Sequence, residues 1–322
     1  MIVWSLFLLM IGVFLALDLG VFNRDSHVIS YKEASRWTLI WSIIGLSFSC
    51  IIYIIYYNGW LAPSSKTSSP FTASIEYLTG YIIELTLSID NIFVIAMIFR
   101  SFKIPLKYQH RVLFWGILGA LFFRGLMIVF GVVLMERFTW STYVFGSFLI
   151  FTAIKMALTD EEKDFDPKSS IIYRIIRKLI PVTGRIDSQR FFVKKGGLNI
   201  ATPLFLALVL IEFTDILFAL DSIPAILGIT RDPFLVFSSN IFAILGLRSM
   251  YFFVANMLDS FHYMQHSLTA ILIYVGIKLI LANHYHLSLG LSLGVIALSV
   301  ILGVYFSIRY KREHTTEELL LK

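Results

Sequence analysis

Nine apolar stretches, each long enough or nearly long enough to cross a lipid bilayer, dominate the sequence. A helix needs roughly 20 apolar residues to span the hydrocarbon core. Only 15% of the 322 residues are charged, whereas soluble domains carry about 25%. The sequence therefore predicts an all-α integral membrane protein of about nine transmembrane helices, and it excludes an ordinary soluble enzyme. The spans are expected near residues 2–20, 38–57, 75–98, 112–134, 140–158, 203–228, 234–256, 268–283 and 287–308.

Lysine and arginine are distributed unevenly between the two sets of loops. Twenty fall on one side, and three, Lys66, Arg137 and Arg231, fall on the other. Because cytoplasmic loops carry the excess of basic residues, the N-terminus is expected outside and the C-terminus in the cytoplasm. The long basic loop at 159–202 is a candidate docking site for a protein partner. Its segment 171–179 predicts either an amphipathic helix on the inner leaflet or a solvated linker.

The same order of polar residues occurs twice at the depth of the spans. An acid, a second acid six residues later and then an amide or hydroxyl occur in the third span and again in the sixth. An arginine follows in the next span of each half, and a lysine follows in the span after that. The corresponding residues are Glu84, Asp90, Asn91, Arg124 and Lys155 in the first half and Asp215, Asp221, Ser222, Arg248 and Lys278 in the second.

Each repeat holds three spans, so the odd number gives the two repeats opposite orientations in the membrane. Inverted repeats are typical of secondary transporters, in which the substrate site lies near the bilayer midplane between the halves. The predicted organisation is two extra helices in 1–70, the first three-helix repeat in 71–158, the cytoplasmic basic loop in 159–202, the second three-helix repeat in 203–283, and a final helix with a cytoplasmic tail in 284–322.

The charged side chains within the spans need partners, because each costs roughly 2.5–3.5 kcal/mol at the bilayer centre on insertion scales. Arg124 and Arg248 lie near span centres and are expected to form buried ion pairs with carboxylates. Lys155 and Lys278 lie near span ends, where a long side chain can equally reach the interface. All four are predicted to support a site built from the acids.

The acids and their polar neighbours form an all-oxygen donor set, which suits Mg²⁺, Ca²⁺ or Mn²⁺ rather than copper or zinc. Helical spacing aligns Glu84 with Asn91, and Asp215 with Ser222. Pro224 is expected to disturb the helix near the predicted ligands Asp221 and Ser222 and to free a backbone carbonyl oxygen near Leu220. Glu76, at the outer mouth of the third span, is either a vestibule carboxylate or a loop residue.

The two acidic segments, 84–91 and 213–224, resemble the paired signatures of the TerC family of bacterial integral membrane proteins, and of its Alx branch in particular. The resemblance covers nearly the whole chain. It implies a multi-pass protein of the bacterial plasma (inner) membrane that exports Mn²⁺. It also implies that the ion path contains Asp90, Asn91, Asp215, Asp221 and Ser222, with Glu84 and Glu212 as further candidates.

We therefore expect a membrane transporter, not an enzyme, that exports Mn²⁺ from the cytoplasm, coupled to protons. The expected partners are a divalent cation and the lipid bilayer, without nucleic acid and without a tightly bound cofactor. Three alternatives stay open: a membrane-bound redox modulator or tellurite-resistance component without transport activity, a scaffold acting through 159–202, and an exporter of a small organic cation. The single cysteine, Cys50, excludes a thiol pair within one chain.

Overall fold

The computed structural model describes residues 2–20, 30–61, 69–158, 173–175, 178, 180–183, 190–195, 198–255, 264–282, 284–285 and 288–320. The helices in these ranges are α1 (Ile2–Gly20), α2 (Tyr31–Tyr57), α3 (Pro70–Ser101), α4 (Leu106–Arg137), α5 (Ser141–Leu158), α6 (Pro203–Leu227), α7 (Pro233–Ala255), α8 (Met264–Leu281) and α9 (Leu289–Leu320). Two short strands, β1 (Phe192–Lys195) and β2 (Leu198–Ala201), precede α6.

Seven of these helices, α2 to α7 and α9, are long and apolar enough to cross a membrane. The helices α1 and α8 contain shorter apolar segments, Ile2–Ala16 and His266–Leu281. Large apolar side chains such as Phe122, Leu126 and Phe130 on α4 are more than 60% exposed. A surface of this kind suits lipid rather than water. The all-α integral membrane class is therefore confirmed, whereas the count of nine spans stays a prediction.

The helices extend beyond the apolar stretches that predicted them. The hydroxyl of Ser30 accepts a hydrogen bond from the Glu33 amide and caps α2, and Ser69 caps α3 in the same way. Side chains that cap a helix set its first residue independently of hydropathy. Several basic residues that the sequence placed in loops lie instead in helix ends: Lys32, Arg36, Arg100, Lys107, Arg111, Arg137, Arg309, Lys311 and Arg312.

The predicted cytoplasmic loop at 159–202 ends in a β-hairpin that the sequence did not predict. The strands β1 and β2 are antiparallel, with Phe192 opposite Ala201. The ring of Phe192 lies 4.6 Å from that of Phe205, so the hairpin packs against the start of α6. Most of the predicted amphipathic segment at 171–179 lies outside the described residues.

The two predicted repeats pack against each other rather than as separate bundles. The helix α3 contacts α7 and α6, α4 contacts α6 and α7, and α5 contacts α8. The last pair crosses closely, because a Cβ atom at Gly146 would lie 2.7 Å from the carbonyl oxygen of Gly276. In each of these pairs a helix of one predicted repeat contacts a helix of the other, as expected for two three-helix repeats related by a two-fold axis. The repeat and the domain boundaries drawn from it stay predictions.

Candidate functional site

Arg124 lies at the centre of a buried polar cluster. Its side chain is 0% exposed, and its guanidinium forms salt bridges with Glu84 of α3 and Asp215 of α6. The Nη2 atom of Arg124 lies 2.7 Å from Oδ1 of Asp215, and Nε lies 3.0 Å from Oδ2. The buried ion pair predicted for Arg124 is therefore confirmed. One cation joins carboxylates from both predicted repeats.

Asn240 on α7 completes the coordination of Glu84, and the sequence analysis did not single it out. Its Nδ2 atom donates a hydrogen bond to Oε2 of Glu84 at 3.0 Å. An amide side chain in an apolar span is costly unless it is hydrogen-bonded. That cost is the signal that could have identified Asn240 from the sequence.

A cavity of about 30 Å³ lies beside this cluster. Glu84 and Asn91 both line it, which confirms that they share one face of α3. Asp221 and Ser222 of α6 line it from the other predicted repeat. We call it the carboxylate cavity, and its full lining is Glu84, Leu87, Asn91, Arg124, Met156, Phe218, Asp221, Ser222 and Leu272.

Two of the predicted ligands that line this cavity have a side-chain oxygen without a hydrogen-bond partner. Asn91 is 4% exposed and Ser222 is 1% exposed. Neither Oδ1 of Asn91 nor Oγ of Ser222 has a hydrogen-bond partner among the described residues. Buried polar atoms are almost always hydrogen-bonded in folded proteins. A ligand or a water molecule beside these two atoms would therefore supply the partner that each of them lacks.

The helix α5 contributes to the site through Lys155, which the sequence predicted, and through Thr152, which it did not. Thr152 donates a hydrogen bond to Oδ1 of Asp221 at 3.0 Å. Lys155, three residues later, also interacts electrostatically with Asp221. The side chain of Lys155 is exposed near the end of α5, as in the alternative in which a long side chain reaches the interface.

Glu212 neither pairs with Arg124 nor lines the carboxylate cavity. It lies one turn before Asp215, but its carboxylate faces the backbone of Gly119 on α4, where a Cβ atom would overlap it. Its Oε2 atom has no hydrogen-bond partner among the described residues. The side chain of Asp90 lies outside what the structure describes. The structure thus pairs Glu84 and Asp215 with Arg124 and places Asp221 in the same cavity as Glu84, whereas Glu212 interacts electrostatically with Asp215 from outside that cavity.

No three side chains of His, Cys, Asp or Glu converge closely enough to hold a metal ion in the ranges that the structure describes. The expected gathering of acids at a single point is therefore not seen there. The guanidinium of Arg124 lies between Glu84 and Asp215, and a cation in that position takes the place that a metal ion would need.

The helix α6 also runs through Pro224 to Leu227, so the proline does not break the helix.

A second cavity, of about 20 Å³, shares Asn91 and Phe218 with the first. Asp215 also lines it, and most of the other lining residues are apolar. We call it the apolar cavity. Its walls come from the halves of α3, α4, α6 and α7 that the predicted orientation places nearer the cytoplasm. Asn91 and Phe218 therefore stand between the carboxylate cavity and the predicted cytoplasmic side.

A separate group of polar residues surrounds Lys278, toward the predicted outer side. Lys278 is buried and donates a hydrogen bond to Oγ of Ser292 on α9 at 2.8 Å. Glu76 interacts electrostatically with Lys278 and accepts a hydrogen bond from Thr230 at 2.7 Å. The alternative of a loop residue was wrong for Glu76, because it is a buried residue of α3. Arg248 is buried on α7, as predicted.

The sequence of the chain matches the integral membrane protein TerC family over residues 70–315. The chain belongs to the TerC family. The match to TerC includes both acidic segments and every residue that lines the carboxylate cavity, whereas α1 and α2 precede it. Membership in TerC, together with the apolar helices, supports a multi-pass integral membrane protein.

Members of TerC and other relatives resemble the chain along most of its length. It is 45% identical over 294 residues to an uncharacterized membrane protein of Myxococcus xanthus, covering 91% of this chain and 88% of the relative. It is 38% identical over 317 residues, 97% of each chain, to an Escherichia coli K12 protein provisionally named membrane-bound redox modulator Alx. It is 40% identical over 305 residues to an uncharacterized membrane protein of Rickettsia bellii, covering 95% of this chain and 96% of the relative. No solved structure matches the chain.

Proposed function

We propose that this TerC family protein exports Mn²⁺ from the cytoplasm across the bacterial inner membrane. The observation that carries the proposal is the lining of the carboxylate cavity, where Asn91 and Ser222, each with an unpartnered side-chain oxygen, stand beside Glu84 and Asp221. Carboxylate, amide and hydroxyl oxygens are the donors that Mg²⁺, Ca²⁺ and Mn²⁺ prefer. A cation held there would provide the coordination that these buried atoms lack.

The charge around the cavity favours a cation. Glu84, Asp215 and Asp221 carry three negative charges, and Arg124 balances one of them within the buried cluster. Lys155 acts on Asp221 from the exposed end of α5. An excess of buried negative charge is costly in a low-dielectric interior unless a cation or proton compensates it. A divalent ion bound between Asp221, Asn91 and Ser222 would supply that compensation.

Export by exchange with protons follows from the same groups. In the proposed cycle, Mn²⁺ enters from the cytoplasm through the apolar cavity and passes Asn91 and Phe218. Protons from the outside then neutralise Asp221, which weakens its hold on the metal and releases it outward. Arg124 stays paired with Glu84 and Asp215 whenever no metal is bound and balances one of their two negative charges. The direction rests on the predicted orientation, with the N-terminus outside and the C-terminus in the cytoplasm.

We propose that the protein is not an enzyme, has no tightly bound cofactor and does not bind nucleic acid. Its partners would be the divalent cation, the surrounding lipid and any protein that binds the loop at 159–202.

A transport assay tests the proposal directly. The full chain is reconstituted in proteoliposomes, and Mn²⁺ flux is measured with and without a pH gradient. We expect flux in the native protein, its acceleration by a gradient, and its loss in Asp90→Asn and Asp221→Asn. Glu33→Gln, at the start of α2, makes the same acid-to-amide change away from both cavities and serves as the matched control. Unaltered flux in Asp221→Asn would contradict the proposal.

The name of the Escherichia coli relative favours a second candidate, a membrane-bound redox modulator. A redox component needs an electron-carrying group or a reactive thiol. The chain has one cysteine, Cys50, which is exposed on α2. A visible absorption band in the purified protein, or a redox phenotype lost in Cys50→Ala, would support this candidate over transport. The same measurements apply to a tellurite-resistance role without transport.

A further inference from the structure

Met156 is the one sulfur-containing residue among those that line the carboxylate cavity. It lies on α5, one turn after Thr152, which donates a hydrogen bond to Asp221. Residues four apart lie on the same face of a helix, so Met156 and Thr152 approach the cavity from the same side. The cavity wall thus combines the oxygens of Asp221, Asn91 and Ser222 with a thioether.

An all-oxygen site has a weakness as a Mn²⁺ site. Carboxylate and amide oxygens suit Mg²⁺, Ca²⁺ and Mn²⁺ alike, so such donors by themselves discriminate poorly among these ions. A thioether is a soft, polarizable donor. It contributes little to a hard cation such as Mg²⁺ or Ca²⁺, which prefers oxygen and gives up its water reluctantly.

We propose that Met156 is a specificity-determining residue of the carboxylate cavity, where its thioether favours Mn²⁺ and softer divalent ions over Mg²⁺ and Ca²⁺. The inference rests on the proposed transport function and adds the basis of its selectivity. A transition-metal ion bound to Asp221, Asn91 and Ser222 gains a further donor from Met156. A calcium or magnesium ion at the same place would exchange a water ligand for the thioether of Met156, which is a poor ligand for a hard cation.

Packing is the simpler role for a methionine, and Met156 does pack against the buried cluster that includes Leu272. The two roles differ in what a leucine does in its place. Leucine conserves the volume and the apolar contacts, and such exchanges usually cost little stability. It removes only the sulfur. Met156→Leu therefore leaves a packing role intact and abolishes a role in selectivity.

The first test compares selectivity in proteoliposomes of the full chain. The flux of Mn²⁺ is measured in competition with Ca²⁺ and Mg²⁺ for the native chain, Met156→Leu and the control Met127→Leu. Met127 packs against the same buried cluster but does not line the carboxylate cavity. We expect Met156→Leu to lower the preference for Mn²⁺ over Ca²⁺ by about tenfold. Met127→Leu should keep the native preference.

The second test identifies the sulfur by spectroscopy, so that the inference does not depend on transport by the variant. Cd²⁺ is bound to the purified full chain in a Cys50→Ser background, and its X-ray absorption spectrum is recorded. We expect a sulfur neighbour of the metal that is lost in Met156→Leu and retained in Met127→Leu. Native selectivity in Met156→Leu, or a spectrum with oxygen neighbours alone, would overturn the inference. Absence of Mn²⁺ flux in the native chain would instead overturn the proposed function, and the inference with it.

Discussion

Arg124 and Asp215 form a two-pronged salt bridge that ties α4 to α6, with Nη2 of Arg124 2.7 Å from Oδ1 of Asp215 and Nε 3.0 Å from Oδ2. The same guanidinium also binds Glu84 on α3. Three helices from the two predicted repeats therefore meet at one buried cation. The site is organised around Arg124, although the acids carry the proposed metal chemistry.

Removal of this cation should destabilise the protein. Arg124→Gln leaves Glu84 and Asp215 facing each other without a counter-charge, and loss of one partner from a buried ion pair costs about 3–5 kcal/mol. We expect a large drop in the thermal unfolding temperature of the purified protein. The triple variant with Glu84→Gln and Asp215→Asn should recover part of the loss, because it removes the uncompensated charges. Native stability in Arg124→Gln would show that the ion pair is not structural.

Glu212 and Asp221 should differ in their effect on Mn²⁺ flux, although the sequence treats both as candidate ligands. Asp221 lines the carboxylate cavity, whereas the carboxylate of Glu212 lies against α4 at Gly119. We expect Asp221→Asn to reduce flux in proteoliposomes by about tenfold or more, as loss of a metal-site interaction typically does. Glu212→Gln should have the smaller effect. Equal losses would place Glu212 on the ion path.

Gly119 and Glu212 should be coupled in stability. A side chain at Gly119 would overlap the Glu212 carboxylate, so Gly119→Ala forces that flexible side chain into another conformation and should cost about 0.5–1.5 kcal/mol. In a Glu212→Ala background the same change should be nearly neutral. A double-mutant cycle in a denaturant titration measures the coupling, and additive single effects would argue against this contact.

Gly146 should tolerate no larger residue, because α5 and α8 cross there at close range. In Gly146→Ala the new Cβ would lie 2.7 Å from the backbone oxygen of Gly276, which cannot rotate away, so we expect a loss of about 1–3 kcal/mol. Gly290→Ala on α9 is the matched control, since nothing lies within 4 Å of its Cβ position. That change should be neutral or stabilise the helix by about 0.5–1 kcal/mol. Comparison of the two unfolding midpoints decides the prediction.

The predicted orientation can be tested separately from transport. A green fluorescent protein fused after the last residue should fluoresce, because it folds in the cytoplasm, and alkaline phosphatase at the same place should be inactive. The reverse pair of results would invert the positive-inside assignment and with it the proposed direction of export.

The sequence by itself determined the membrane class and the positions of the helices. Every predicted span corresponds to a helix because burial of backbone groups in lipid allows few alternatives. Hydropathy did not determine the helix ends, which Ser30, Ser69 and other capping residues set. It also did not predict the hairpin of β1 and β2, whose pairing depends on contacts with the start of α6.

Periodicity correctly aligned Glu84 with Asn91, because residues seven apart share a helix face wherever the helix lies. Only the tertiary structure decided which of the acids meet. In that structure Arg124 forms salt bridges with both Glu84 and Asp215. Asp221 accepts a hydrogen bond from Thr152, and the carboxylate of Glu212 lies against Gly119. These contacts join different helices, and a pattern along one helix does not specify the rotation and depth of its neighbour. For the same reason Thr152 and Met156 emerged as part of the site only from the packed structure.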